Sequence, residues 1–188
     1  AAAASASHEE MAPGAGAGLV ERPRLISKLE RAGTPVILLN APSGYGKSVL
    51  VRQWSEIDPR PFMPVLLGAY FNDPALLLAS IVEALNRIEP VEDDVLGALS
   101  SPVPGIEKIV LPRLRESLAF RKKPFVLFLD EMEHIYSLES LAVISAVGTT
   151  MPRASQLVLA SRREPGLPVG SLRAHRQLTE FGVTDLTL

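Results

Sequence analysis

Two stretches of this chain carry residue types in an order suited to handling phosphate. Between Thr34 and Trp54 an apolar run breaks into Ala41-Pro42-Ser43-Gly44-Tyr45-Gly46-Lys47-Ser48 and then resumes as an amphipathic segment. The octapeptide fits G-x-x-x-x-G-K-[ST], with Ala41 as a small-residue variant of the first glycine. Gly44 and Gly46 leave room for backbone N–H groups to wrap a phosphate chain, and the helix that follows directs its positive dipole end at the same place. Ser43, Gly44, Tyr45, Gly46, Lys47, Ser48 and Val49 are therefore the candidate phosphate-binding residues. Lys47 is expected to hold the β and γ phosphates, and Ser48 to offer its hydroxyl oxygen to Mg²⁺. A pattern of this kind arises by chance in roughly one chain in a hundred of this length, so its flanks decide.

The second stretch is Phe125-Val126-Leu127-Phe128-Leu129-Asp130-Glu131, a continuous apolar strand ending in two acids. Asp130 is expected to orient a water on Mg²⁺, since a hard divalent cation keeps several waters and prefers carboxylate partners. Glu131 is placed to polarise an attacking water as general base. The competing reading is that acids end strands because the chain there meets solvent. A third strand, Leu157-Val158-Leu159-Ala160-Ser161, runs into Arg162 and Arg163. If this strand lies between the other two, Arg162 faces the terminal phosphate, where a guanidinium registers that group and offsets its charge. Arg163 reads more simply as a surface residue.

Positioning these residues requires strands that end together. Five strand candidates alternate with helical segments: Pro35 to Asn40, Phe62 to Gly68, Phe125 to Asp130, Gln156 to Ser161 and, more weakly, Gln177 to Gly182. The alternation predicts an α/β fold, a three-layer arrangement in which a mostly parallel five-stranded sheet carries helices on both faces. Leu50, Trp54 and Ile57 recur at helical spacing after the phosphate loop. Asp73 caps the next helix, Pro74 suits its first turn, and Leu77, Ile81, Leu85 and Ile88 form its stripe. Residues 89 to 105, acidic and then Pro-rich, read as a surface loop. Ile106, Ile109, Val110, Leu114 and Leu118 have helical spacing, with Pro112 kinking that segment or starting a second helix. Leu138 to Val147 is a further helix, ended by Gly148 and Pro152.

The chain has 188 residues, enough for one α/β domain, with 47% hydrophobic and 21% charged side chains. Its apolar runs are strand-sized, well short of the roughly 20 residues of a spanning helix, so no membrane partner is expected. With 19 basic against 21 acidic residues the formal net charge is -2, and no nucleic-acid contact is expected of this segment. The lack of cysteine and of a secretory signal points to the cytoplasm. His8, His134 and His175 show no metal-ligand spacing and read as solvated or structural. Residues 1 to 18 read as a flexible tail, the first ten as an expression-derived or trimmed extension and Met11 to Gly18 as a linker. The domain itself is expected over residues 19 to 188. Asp185-Leu186-Thr187-Leu188 carries no linker-like composition, as though a longer polypeptide continued.

With these residues in place the chain resembles the nucleotide-binding domain of the STAND class of signal-transduction ATPases. It resembles in particular the branch holding the maltose-regulon activator and the large ATP-binding LuxR-type regulators. Five pieces carry it: Val20-Glu21-Arg22-Pro23-Arg24-Leu25, APSGYGKS with Trp54, Asn72-Asp73-Pro74, FVLFLDE, and the tail LASRREPGLPVGSLRAHRQLTEFGVTDL. The resemblance implies an ATP/ADP-operated switch in which ADP holds a closed form, whereas ATP with an inducer permits homo-oligomerisation and transcriptional activation. It implies that Val20 and Arg22 lie against the adenine. It also implies further domains of the same polypeptide as partners. The branch's pair of aspartates followed by an aromatic and a histidine is replaced here by Asp130-Glu131-Met132-Glu133, which leaves hydrolysis open.

Lys47, Glu131 and Arg162 are thus the candidate catalytic residues of a slow ATPase, with Ser48 and Asp130 the candidate Mg²⁺ ligands. The lack of an N-K-x-D segment favours ATP over GTP, and the lack of L-S-G-G-Q argues against an ABC transporter ATPase. Two alternatives stand beside the switch: a small-molecule P-loop kinase, with Arg162, Arg163 and Arg173 in a lid, and a nucleotide-binding module without turnover.

Overall fold

The computed structural model describes residues 22–102 and 105–187. The expected tail over residues 1 to 18 lies outside them, as does Val20. Five strands, β1 (Val36–Asn40), β2 (Phe62–Leu66), β3 (Val126–Asp130), β4 (Gln156–Ser161) and β5 (Leu178–Phe181), form one sheet in the order β2-β3-β4-β1-β5. Every pairing is parallel. Parallel strands need crossovers and are buried on both faces, which is why β1, β3 and β4 read as unbroken apolar runs. Pro64, which has no N–H to give to a ladder, sits in β2 at the edge of the sheet.

The described helices are α1 (Pro23–Arg31), α2 (Lys47–Ser55), α3 (Pro74–Asn86), α4 (Asp93–Leu99), α5 (Leu111–Phe120), α6 (Leu138–Thr149), α7 (Val169–Ala174) and α8 (Val183–Leu186). Side-chain alternation along the strands divides the core between two faces. Val36, Leu38, Leu127, Leu129, Leu157 and Leu159 pack with α3, α5 and α6. Ile37, Leu39, Val126, Phe128, Val158 and Ala160 pack with α1, α2 and α8 through Leu25, Leu29, Leu50, Trp54 and Leu186. The result is the expected α/β sandwich of three layers.

Several expectations are corrected. Ile57 lies past the end of α2 and is 58% exposed, because the helix stops at Ser55 and its phase is not carried on. The segment 89–105 contains α4, two acids in whose first turn suit the positive helix end, and Val95 of α4 is buried. Residues Ile106–Val110 form a π-helical turn ahead of α5. Its extra residue rotates Ile109 outward and turns Val110 into the core, while Pro112 occupies the first turn of α5, where a missing N–H costs nothing. Gly148 does not end its helix but lies within α6. A Cβ there would meet Val36 at 3.0 Å and Leu157 at 3.2 Å, so glycine lets α6 close on the sheet.

At the amino ends of the strands, Arg60 ties the layers together. Its guanidinium donates to Asp58, to the Ala154 carbonyl at 2.8 Å and to Gln156 at 3.0 Å, and lies 5.6 Å from the Trp54 ring centroid. Burial alone pushes the Asp58 carboxyl up, but the hydrogen bonds and charge of Arg60 together hold it below its ordinary 3.8. A depressed carboxylate stabilises the fold above its unfolded pKa, and that contribution is lost as pH falls through the folded value. Asp58→Asn is therefore expected to cost about 1–3 kcal/mol at pH 7 in a urea titration. The gap to wild type should shrink at about pH 3, and a pH-independent gap would contradict the assignment.

Candidate nucleotide site

β1 delivers the chain to Ala41, whose N–H donates to the Ser161 carbonyl at 3.2 Å and so prolongs the β1–β4 ladder by one residue. Ala41 is buried in the core beside α1 and α2. Positive φ angles in the loop fall on Gly44 (88°) and Gly46 (70°), not on Ala41, so the methyl group at the first-glycine position strains nothing. Gly46 caps α2, and Lys47 is the first residue of that helix.

The Lys47 ammonium folds back over the loop, donating to the carbonyls of Ala41 at 2.5 Å and Pro42 at 3.0 Å. The residue is only 9% exposed. Burial pushes its pKa below the usual lysine value, against the pull of the Glu133 and Asp130 carboxylates and with the help of Arg162. On the next residue, the Ser48 hydroxyl donates to Asp130 Oδ2 at 2.5 Å. The two proposed metal ligands thus share one position, and their hard oxygens fit a divalent cation such as Mg²⁺.

Asp130 ends β3, and its other carboxylate oxygen accepts the Glu131 N–H at 2.8 Å. Glu131 itself is left-handed at φ 62°, a conformation that costs a non-glycine residue about 1–2 kcal/mol and marks a shape held by its surroundings. This bend starts a tight turn over Met132–His134, anchored by buried Met132. Arg162, one residue past β4, pairs with Glu131 at 3.0 Å and with Glu133 at 2.8 Å. A cleft of about 320 Å³ collects Ser43, Gly44, Gly46, Lys47, Ser48, Val49, Asp130, Glu131, Glu133 and Arg162.

The side chains of the other candidates are not among the cleft-lining residues. The Tyr45 side chain packs on the α1–α2 core and is not among the cleft-lining residues. Arg22 donates to the Leu186 carbonyl at 2.9 Å and sits behind Gly46, 3.3 Å from where a Cβ would be. Arg163 donates to the Glu133 carbonyl at 2.9 Å. Arg173 is bound to Glu180 at 2.6 Å and is not part of the cleft lining. Exposed His134 comes within 3.4 Å of Glu131.

Sequence reasoning missed the supports. Glu133 lines the cleft, and its only signal was a third acid after the strand. Asn72 donates to the His134 carbonyl and accepts from the N–H groups of Tyr136 and Ser137, each at 2.8 Å, bracing the turn that carries Glu131 and Glu133.

No protein-family profile matches the sequence. Over 168 residues, 87% of the chain, it is 29% identical to the serine/threonine-protein kinase PknK of Mycobacterium tuberculosis, and spans 15% of that protein. Over 177 residues, 89% of the chain, it is 27% identical to the HTH-type transcriptional regulator MalT of Serratia proteamaculans, and spans 19% of it. In structure it is similar to the Aeropyrum pernix ORC1 protein solved in complex with DNA, with a TM-score of 0.52 and 16% identity, over 85% of this chain and 43% of that one. A chain of the Drosophila ORC bound to DNA gives a TM-score of 0.53 at 15% identity, over 85% of this chain and 87% of that one. The chain has a P-loop ATPase-type fold.

That likeness corrects one expectation. Proteins of this fold are solved on DNA, so a net charge of -2 does not set the P-loop domain apart from nucleic acid. Net charge averages over every face, whereas phosphate contacts depend on local groups. Among the described residues no helix is long and apolar enough to cross a membrane.

Asn72→Ala is expected to cost about 1–2 kcal/mol, since it strips partners from three backbone groups at once. Faster hydrogen exchange at the Tyr136 and Ser137 amides is the check, and unchanged protection there would refute the bracing role.

Proposed function

We propose that the P-loop domain is the ATP-binding switch of a STAND-type signal-transduction ATPase, as in large LuxR-type transcriptional regulators, working in the cytoplasm with slow ATP hydrolysis. The observation that carries this reading is the convergence of the phosphate loop, the β3 acids and Arg162 on one cleft. A second support is that the same stretch recurs in a protein named as a kinase and in one named as a transcriptional regulator. A switch module shared between different outputs suits both.

In this reading the N–H groups of residues 43–49 and the Lys47 ammonium bind the phosphates. The ammonium exchanges the carbonyls of Ala41 and Pro42 for phosphate oxygens, a trade of neutral acceptors for charged ones. Ser48 and Asp130 hold Mg²⁺, which when bound neutralises phosphate charge. Glu131 orients the attacking water and takes up its proton. Arg162 meets the terminal phosphate and distinguishes ATP from ADP. The kinase alternative loses support because Arg173, its lid candidate, is engaged with Glu180 and Glu164. Binding without turnover is favoured by one observation, the engagement of Glu131 by Arg162.

Titration calorimetry with Mg-ATP tests the proposal. Lys47→Ala is expected to lose at least about 100-fold in ATP affinity, or about 2.7 kcal/mol. Unchanged affinity would sink the reading. Glu131→Gln should keep ATP affinity within about threefold and abolish phosphate release; equal release from wild type and variant removes the general base. Arg162→Ala should weaken ATP binding more than ADP binding.

A further inference from the structure

Arg162 is about half exposed, with the flexibility of a long cationic side chain. Its neighbour Glu133 is the opposite, only 11% exposed at the side chain. The two carboxylate oxygens of Glu133 grip Arg162 at separate points. Oε2 accepts the Arg162 backbone N–H at 3.1 Å, and Oε1 forms an ion pair with Nε at 2.8 Å without hydrogen-bond geometry. The Glu133 carbonyl also takes the Arg163 guanidinium, so the chain on both sides of this contact is fixed. A hold on the backbone and on Nε together restrains the torsions between them, leaving the far end of the guanidinium to reach onward. That far end, Nη2, lies 3.0 Å from Glu131 on the wall of the cleft.

We propose that Glu133 is a positioning residue that aims Arg162 at the terminal phosphate of the nucleotide and thereby sets the preference for ATP over ADP. The proposal rests on the functional reading given above. An unrestrained arginine gives up rotamer entropy when it orders on a ligand. One already gripped at its root loses less, so its contact with the extra phosphate adds more to binding. Nη2 then exchanges one anionic oxygen, on Glu131, for another, on the nucleotide. The same exchange removes the cation from Glu131 only when a third phosphate is present, so the general base becomes available for ATP and stays paired for ADP. Glu133 touches neither water nor the reacting phosphorus in this scheme.

The experiment measures ATP and ADP affinities by calorimetry in the presence of Mg²⁺, for wild type, Glu133→Gln, Glu133→Asp, Arg162→Ala and the Glu133→Gln/Arg162→Ala pair. Gln keeps the volume but removes the charge that pairs with Arg162 Nε. Asp keeps the charge near Lys47 but is one methylene too short for both contacts. Both Glu133 variants are expected to lower the ATP-to-ADP preference about tenfold while ADP affinity stays within about twofold. The double variant should be no worse than Arg162→Ala alone, the non-additivity expected of residues acting as one unit. Equal losses for both nucleotides, a preference unchanged in Glu133→Gln, a wild-type preference in Glu133→Asp, or full additivity in the pair would each overturn the proposal. Should wild type fail to bind ATP, or Arg162→Ala leave the preference intact, the functional reading itself falls and takes this inference with it. If Arg162→Ala shifts the preference and Glu133→Gln does not, only the inference falls.

Discussion

The arrangement depends on a buried ammonium group. Lys47 sits at the first turn of α2, where the helix end is itself positive, and is almost wholly removed from water. A cation so placed costs several kcal/mol unless other groups stand in for solvent. Two carbonyls of its own loop do so at hydrogen-bond distance, and the Asp130 and Glu133 carboxylates add longer-range attraction. The loop carbonyls and the acids after β3 thus together offset the burial of this charge.

Strand order is what brings these groups together. Because β4 lies between β1 and β3, the carboxyl ends of three adjacent parallel strands present Lys47, Arg162 and the Asp130–Glu133 turn side by side. Ligands gather at that edge in open α/β sheets for this reason. The local charges also constrain one another. Arg162 disfavours the charge on Lys47, and its pairing with Glu131 and Glu133 keeps the two cations compatible. Arg162 thus rests on two carboxylates and Lys47 on two carbonyls of its own loop.

The amino-acid sequence made the sheet legible because β1, β3 and β4 are buried on both faces and so read as continuous apolar runs, whose ends coincide with the phosphate loop, the paired acids and Arg162. The layer of helices was less so. α4 is seven residues long with Gly97 inside it, too short for periodicity to register against the acidic and Pro-rich stretch around it. Gly148 looked like a stop signal, but its role is steric, set by the approach of α6 to Val36 and Leu157. The phase shift at Ile109 comes from a π turn, which leaves no sequence mark. Around the cleft, the residues that end strands could be named in advance, whereas Glu133 and Asn72 could not. Glu133 reaches the cleft through the left-handed bend at Glu131, and Asn72 reaches the same turn from the segment after β2, tertiary features that residue spacing does not encode.

The most direct test of this account is a crystal structure with a non-hydrolysable ATP analogue and Mg²⁺. The account predicts the phosphate chain within hydrogen-bond distance of the 44–48 amides, with Lys47 Nζ moved off the Ala41 and Pro42 carbonyls onto phosphate oxygen. Nucleotide bound away from this loop, or Lys47 still bound to its own carbonyls beside an ordered triphosphate, would contradict it.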